Sequence, residues 1–305
     1  MTVTESAGGT VKHLSAPPSL LPLYARAAVT GPLHRGGESL PDTTYELSEQ
    51  QIDPAHLTAY ERVCGFRTSD VLPPTYLHVL AFPLSVALMT QPAFPFPLVG
   101  MVHVGNTITV HRDVRSDEAV AFSVRAGNLR AHPAGRQFDL LAEARVGDEA
   151  VWSGRSTYLR RGKAPKEAGA GGAGGSDEGD KKRRPKPIAS EPAGPVAQVR
   201  VPDDVGRRYA AVSGDRNPIH MHSLAARAFG FPKAIAHGMW LKARTLATLE
   251  GRLPDSFVVD VSFKTPVFLP STIAITSTAD GNDWLLDVRN AKSGKPHLTG
   301  NVRAG

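Results

Sequence analysis

The sequence predicts an α+β protein built from two similar units, and three observations carry that prediction. Each half of the chain runs from a short helix through a longer apolar helix to several strand-like runs. The halves also echo each other: Tyr60-Glu-Arg-Val-Cys-Gly-Phe66 aligns with Tyr209-Ala-Ala-Val-Ser-Gly-Asp215, and Leu72 to His78 aligns with Phe231 to His237. Between them, Lys163 to Pro187 is rich in glycine and alanine and has no apolar periodicity. Such a stretch buries too little to offset its ordering entropy, so it reads as a flexible connector. The expected organisation is therefore a unit over 1–162, a linker over 163–187 and a second unit over 188–305.

The elements follow from local chemistry. Leu20 to Val29 is apolar and reads as an extra element packed on the first unit. Asp53-Pro54 reads as a helix cap and first helical residue, opening a short helix through Val63. A second helix is expected after His78, apolar at Leu80, Phe82, Leu84, Ala87 and Leu88, with Pro83 confined to its first turn. Strands are expected at Thr107 to His111, Ala119 to Arg125, Phe138 to Ala144 and Val151 to Leu159.

In the second half, Pro202-Asp-Asp204 starts a helix carrying Tyr209, and Ser223 is placed to cap a short helix through Phe229. The long helix runs from about Gly238 to Glu250 and stops at Gly251, with Pro254 beyond. Strands follow at Phe257 to Lys264, Thr272 to Thr278, Trp284 to Val288 and His297 to Val302, with a hairpin turn at Gly281-Asn-Asp283. One apolar helix followed by antiparallel strands is compatible with a sheet wrapped around a helix.

The chemistry concentrates in Tyr209-Ala-Ala-Val-Ser-Gly-Asp-Arg-Asn-Pro-Ile-His220 and Ile235-Ala-His-Gly-Met239. Pro218 disfavours a helical Asn217, so the Tyr209 helix is expected to end near Gly214. Asp215 and His220 then leave on a bent loop, able to converge on one small volume. A carboxylate and a neutral imidazole sharing one water can divide its proton work. Adding water across an activated double bond requires that division.

The run Ser213 to His220, with Gly230-Phe-Pro-Lys-Ala-Ile-Ala-His-Gly-Met239, resembles the signature of the MaoC-like dehydratases, the (R)-specific or type 2 enoyl-CoA hydratases built on hotdog folds. The resemblance covers Val201 to Ala279. It implies a double hotdog, two antiparallel sheets each wrapped around a central helix. It also implies that Asp215 and His220 are the catalytic pair and that Asn217 holds their geometry. Gly238, at a helix start, has an N–H without a helical partner that can polarise a thioester oxygen; close helix packing is its other use. The first copy has Phe66 opposite Asp215 and no Asn-Pro-Ile-His segment, so it reads as a degenerate unit that walls the acyl tunnel. His78 stands opposite His237 in this alignment, so His237 is read as structural.

Composition narrows the remaining classes. With 305 residues and 41% hydrophobic content, the chain can bury one large core or two small ones. Nothing resembles a membrane span or a signal peptide, and the lone Cys64 reads as a buried apolar residue in a reducing, cytoplasmic setting. The net charge of +6 does not indicate a nucleic-acid partner: the linker carries seven basic residues against four acidic ones, half of the total. Lys181 to Lys186 reads as part of that solvated linker.

No cofactor is expected, and no metal: His220 and His222 lack further ligands at zinc spacing. Lys264 is placed either to face a CoA phosphate or at a solvated strand end, and His103 and Asn106 are assigned no role. The expected activity is reversible hydration of a trans-2-enoyl thioester of CoA or acyl carrier protein, and a homodimer is compatible with the sequence. An acyl-thioester hydrolase and a non-catalytic acyl-CoA-binding subunit are the alternatives.

Overall fold

A computed structural model describes residues 1–6, 9–31, 37–162 and 196–305; the expected linker, 163–187, lies outside the described residues. The first half contributes β1 (Thr2–Ser6), β2 (Gly9–Leu14), α1 (Leu20–Thr30), β3 (Thr43–Gln50), α2 (Pro54–Cys64) and α3 (Tyr76–Met89). Four long strands complete it: β4 (Met101–Val110), β5 (Val120–His132), β6 (Gly135–Val146) and β7 (Glu149–Arg161). The second half contributes β8 (Val196–Val201), α4 (Val205–Ser213), α5 (Pro218–Met221), α6 (Ser223–Ala228) and α7 (Gly238–Leu246). It ends in β9 (Phe257–Phe263), β10 (Ser271–Asp280), β11 (Asp283–Asn290) and β12 (Pro296–Ala304). Among the described residues, no helix is long and apolar enough to cross a membrane.

The strands join in one twelve-stranded sheet, β1-β2-β3-β5-β6-β7-β4-β9-β12-β11-β10-β8. The two expected sheets are thus continuous, through an antiparallel seam where β4 pairs with β9 from Gly105↔Ser262 to Val110↔Phe257. All other neighbours are antiparallel except β2 and β3, which α1 connects as a parallel crossover. Each half keeps the plan of an apolar helix against its strands: α3 packs on β3, β5 and β6, and α7 contributes Trp240, Leu241 and Leu246 to the common core.

Local signals set the helix ends. Asp53 accepts the Ala55 N–H at 2.9 Å, with Pro54 at the first helical position. Gly65 and Gly214 close α2 and α4 at φ 82° and 71°, a left-handed turn that glycine takes without cost. Two expectations need correction. Pro83 is the eighth residue of α3 and not in its first turn; the helix starts early, at Tyr76, and burial of nearly its whole surface offsets the lost backbone bond. Ser223 does not cap α6, whose cap position is His222; its hydroxyl instead accepts the Ala234 N–H at 3.3 Å and ties α6 to the strand-like approach of α7.

The hydrogen bonds of the two copies correspond in a register different from the one the sequence suggested. Leu72 N–H donates to Val114 carbonyl at 2.8 Å, and Ala236 N–H donates to Val267 carbonyl at 2.9 Å, so Leu72 stands opposite Ala236. The isolated bridges Val71↔Arg115 and Ile235↔Phe268 repeat that match. So do two anchors across the halves: Trp240 donates to Val63 carbonyl, while Tyr76 reaches Val212 carbonyl through His56. The counterpart of His237 is therefore Pro73, not His78, and that of Gly238 is Pro74. The helix starts alone gave no fixed point for the alignment; the hydrogen bonds to the neighbouring strand do.

Candidate active site

Three elements of the second half meet at the site. The left-handed turn at Gly214 ends α4 and throws Asp215 out of the helix, where its N–H donates to Ser213 Oγ at 3.2 Å. Asp215 Oδ1 accepts the Asn217 N–H at 3.2 Å, and Asn217 is extended (φ −55°, ψ 125°) as Pro218 demands. The Asn217 side chain caps α5 by accepting the Ile219 N–H. That single turn carries His220 back toward α7. Gly206 of α4 makes the approach feasible, because a Cβ there would overlap the His220 carbonyl.

Hydrogen bonds set the imidazole tautomers. His220 Nδ1 donates to Ile235 carbonyl at 2.8 Å, which leaves its Nε2 with a free lone pair. Burial holds His220 below its ordinary pKa, although Asp215 and the Ile235 bond pull the other way. His237 Nε2 donates to the Asp215 main-chain carbonyl at 2.9 Å and lies 3.8 Å from Asp215 Oδ2. Its ring is buried, stacks on His220 with centroids 3.7 Å apart, and meets Tyr209 on another side at 4.9 Å. Burial first, and the neighbouring His220 next, keep His237 uncharged.

Asp215, Asn217, His220, His237 and Gly238 line one cavity of about 210 Å³. Gly238 opens α7, where the first N–H groups lack helical partners. A side chain at Gly238 would press at 3.1 Å on the ring of Phe263, the opposite wall. Lys264 and Arg161 also lie along this cavity. Each sequence-predicted site residue, Asp215, Asn217, His220 and Gly238, is thus brought to the same space.

Asp215, His220 and His237 each offer an atom within 4.8 Å of the others. A tetrahedral ion with donors at about 2.1 Å needs them roughly 3.3 Å apart and aimed at one point. His237 Nε2 spends its proton on the Asp215 carbonyl and has no lone pair to offer an ion, so the trio suits proton transfer better than coordination.

Sequence reasoning missed part of the lining. His103 and Tyr158 come from β4 and β7 of the first half and face the cavity. Only the seam between the halves brings them there, and no motif marks them. His237 was read as structural through a misplaced counterpart; its contacts tie it to both Asp215 and His220.

A second cavity, about 360 Å³, lies at the matching place in the first half, lined by Phe66, Pro73, Pro74, Leu77 and Val114. There Phe66 stands for Asp215, Pro73 for His237 and Pro74 for Gly238, while the loop carrying His220 has no counterpart. Proline has no N–H, so this copy lacks the donor that Gly238 offers.

Residues 181–301 match the model of the MaoC-like domain family. The chain is 38% identical over 290 residues to 3-hydroxyacyl-thioester dehydratase X of Mycobacterium tuberculosis, covering 95% of this chain and 99% of that protein. The crystal structure of that organism's HtdX superimposes with a TM-score of 0.73 at 37% identity, over 86% of this chain and all of that one. A MaoC-like dehydratase from Phytophthora capsici matches in fold, with a TM-score of 0.65 at 16% identity over 86% of this chain and 93% of that one.

Proposed function

Because this chain belongs to the MaoC-like dehydratase family, we propose that Asp215 and His220 are the catalytic pair of its hydro-lyase reaction. That reaction is the reversible syn addition of water to a trans-2-enoyl thioester, giving a (3R)-hydroxyacyl thioester. The observation that carries the assignment is the His220 tautomer: its Nδ1 proton is committed to Ile235, so Nε2 is bare beside Asp215 in the cavity.

In hydration, a water held between Asp215 and His220 Nε2 attacks the β-carbon while the imidazole takes one of its protons. The electron pair of the double bond moves toward the thioester oxygen, where the Gly238 N–H and the start of α7 stabilise the charge. The pair then delivers one proton to the α-carbon on the same face, so one proton leaves the water and one reaches carbon. Asn217 keeps the loop bent so that Asp215 and His220 face the same water.

The substrate is a thioester of CoA or of acyl carrier protein. Both thiols end in phosphopantetheine, and Arg161 and Lys264 supply cations along the cavity. Cys64 has no part in the chemistry, because burial pushes its thiol up to about 12, and a lone buried thiol fits a cytoplasmic enzyme. The degenerate 1–162 half walls the acyl-binding space of the 188–305 half.

The test is turnover of a trans-2-enoyl-CoA, followed by product chirality. Wild type is expected to hydrate it to the (3R) product, and Asp215→Asn and His220→Ala to lose about 100- to 10,000-fold in kcat. Release of free thiol from a saturated acyl-CoA would indicate a hydrolase instead. Binding without turnover would sink the catalytic assignment.

A further inference from the structure

The half of the chain without the catalytic pair supplies His103, Tyr158 and Arg161 to the reaction space, and Tyr158 of β7 lines the cavity together with Asp215, His220 and Gly238. Its ring is held firmly. The cross-strand neighbours of Tyr158 are His103 on β4 and Phe138 on β6, and both stack on it, at 4.6 Å and 15° and at 5.6 Å and 16° respectively. Phe263 of the second half closes on His103 edge-on at 5.1 Å, locking the stack across the seam. The Tyr158 hydroxyl makes no hydrogen bond among the described residues.

Tyr158 is half-buried at the cavity wall, so its unpaired hydroxyl is free to donate to whatever occupies the cavity. Burial, and after it the charge of Asp215, raise the phenol well above its ordinary range. It therefore keeps its proton and offers a hydrogen bond rather than an acid. Tyr158 shares the cavity wall with Asp215 and His220, while the thioester oxygen is served by the start of α7.

We propose that Tyr158 is a further catalytic residue, donating a hydrogen bond to the β-oxygen of the substrate, the hydroxyl that leaves in dehydration and the water that attacks in hydration. The proposal rests on the hydratase reading above. In dehydration the base takes the α-proton, and the C–H electron pair forms the double bond. The Cβ–O pair departs with oxygen, which receives one proton from the catalytic pair and leaves as water. Tyr158 transfers nothing; it stabilises charge as it builds on that oxygen. In hydration, the water hydrogen-bonds to Asp215 and His220 through its two hydrogens, accepts the phenol on one lone pair and attacks with the other; one of the two protons passes to the pair and on to the α-carbon, and the other stays on the β-oxygen as the product hydroxyl.

Tyr158→Phe keeps the stacked ring and removes only the donor. Its kcat for hydration is expected to fall about 10- to 100-fold, near the lower end for loss of one donor to developing charge, with KM within about 2-fold and the melting temperature unchanged. Competition binding locates the bond: the variant should bind a 3-hydroxyacyl-CoA about 2- to 10-fold more weakly and a saturated acyl-CoA of the same length equally well. A kcat within about 2-fold of wild type overturns the proposal, as does equal weakening of both ligands or a loss of kcat matched by a fall in melting temperature. An active wild type beside an unaffected variant removes Tyr158 alone, whereas an inactive wild type removes the hydratase reading and this proposal with it.

Discussion

The imidazole of His237 lies face to face on that of His220, 3.7 Å between ring centroids, while its Nε2–H holds the main-chain carbonyl of Asp215 at 2.9 Å. One buried side chain thus touches both members of the proposed catalytic pair. It also occupies the residue before Gly238, at the N-cap of α7, so Asp215, His220 and the start of that helix share one support. The first copy has Pro73 at this place and no pair to support.

His237→Ala is expected to lower kcat about 10- to 100-fold while leaving KM for the enoyl thioester within a few-fold, because it removes alignment and not substrate contact. Steady-state kinetics beside a far-ultraviolet circular dichroism spectrum checks this. Wild-type kcat in a folded variant would show that the stack is dispensable.

Acid should act on both activity and stability. Burial lowers the pKa of His220, the proposed neutral base, from 6.5, so kcat/KM should hold at pH 6.5 and fall only at lower pH. His78 and His103 are lowered to about 4 and about 3, burial being the main cause in each. Below pH 6.5 the unfolded chain takes up protons that the native state refuses, so stability present at neutral pH declines as pH falls toward 4 and 3. Melting temperatures between pH 7 and pH 4 report this directly, and a flat profile would refute it.

Lys242 is fully buried on α7, and its ammonium donates to Asn106 Oδ1 at 2.6 Å and to the carbonyls of Asn106 at 3.1 Å and Val259 at 3.2 Å. Asn106 and Val259 lie on the two strands of the seam, so one side chain ties α7 to both halves. Burial draws its pKa well down, partly offset by Asp260. Lys242→Met is expected to cost about 2–3 kcal/mol by leaving Asn106 Oδ1 unpaired, and adding Asn106→Leu should recover part of that loss. Urea denaturation of the two variants decides it, and an undiminished Lys242→Met would count against the seam as a source of stability.

Much of the fold was legible because its signals are local. Asp53-Pro54 and Gly214 mark helix ends by backbone chemistry that no distant contact changes, whereas the helix expected to run to Glu250 ends at Leu246 and tightens into a 3-10 turn over Ala247–Leu249 before Gly251. The long strands and the Gly281 hairpin followed from alternation and turn residues, as β10 and β11 confirm with Asp280 opposite Asp283. The edge strands escaped notice. β1 and β8 are short and largely exposed, and β3 buries Thr43, Tyr45 and Leu47 on one face only after α1 has brought β2 beside it. Pairing of that kind depends on long-range contact, which short polar runs do not announce.

The sequence by itself determined the bend at Asn217-Pro218, the carriage of Asp215 and His220 on it, and the glycine at the start of α7, since each is dictated within a few residues. Only the tertiary structure decided which nitrogen of His220 is bare, that His237 and not His78 adjoins the pair, and that Tyr158 crosses from the other half. Those outcomes depend on hydrogen bonds and ring contacts between segments far apart in the chain, formed when β4 and β9 close the seam, and no local spacing encodes them.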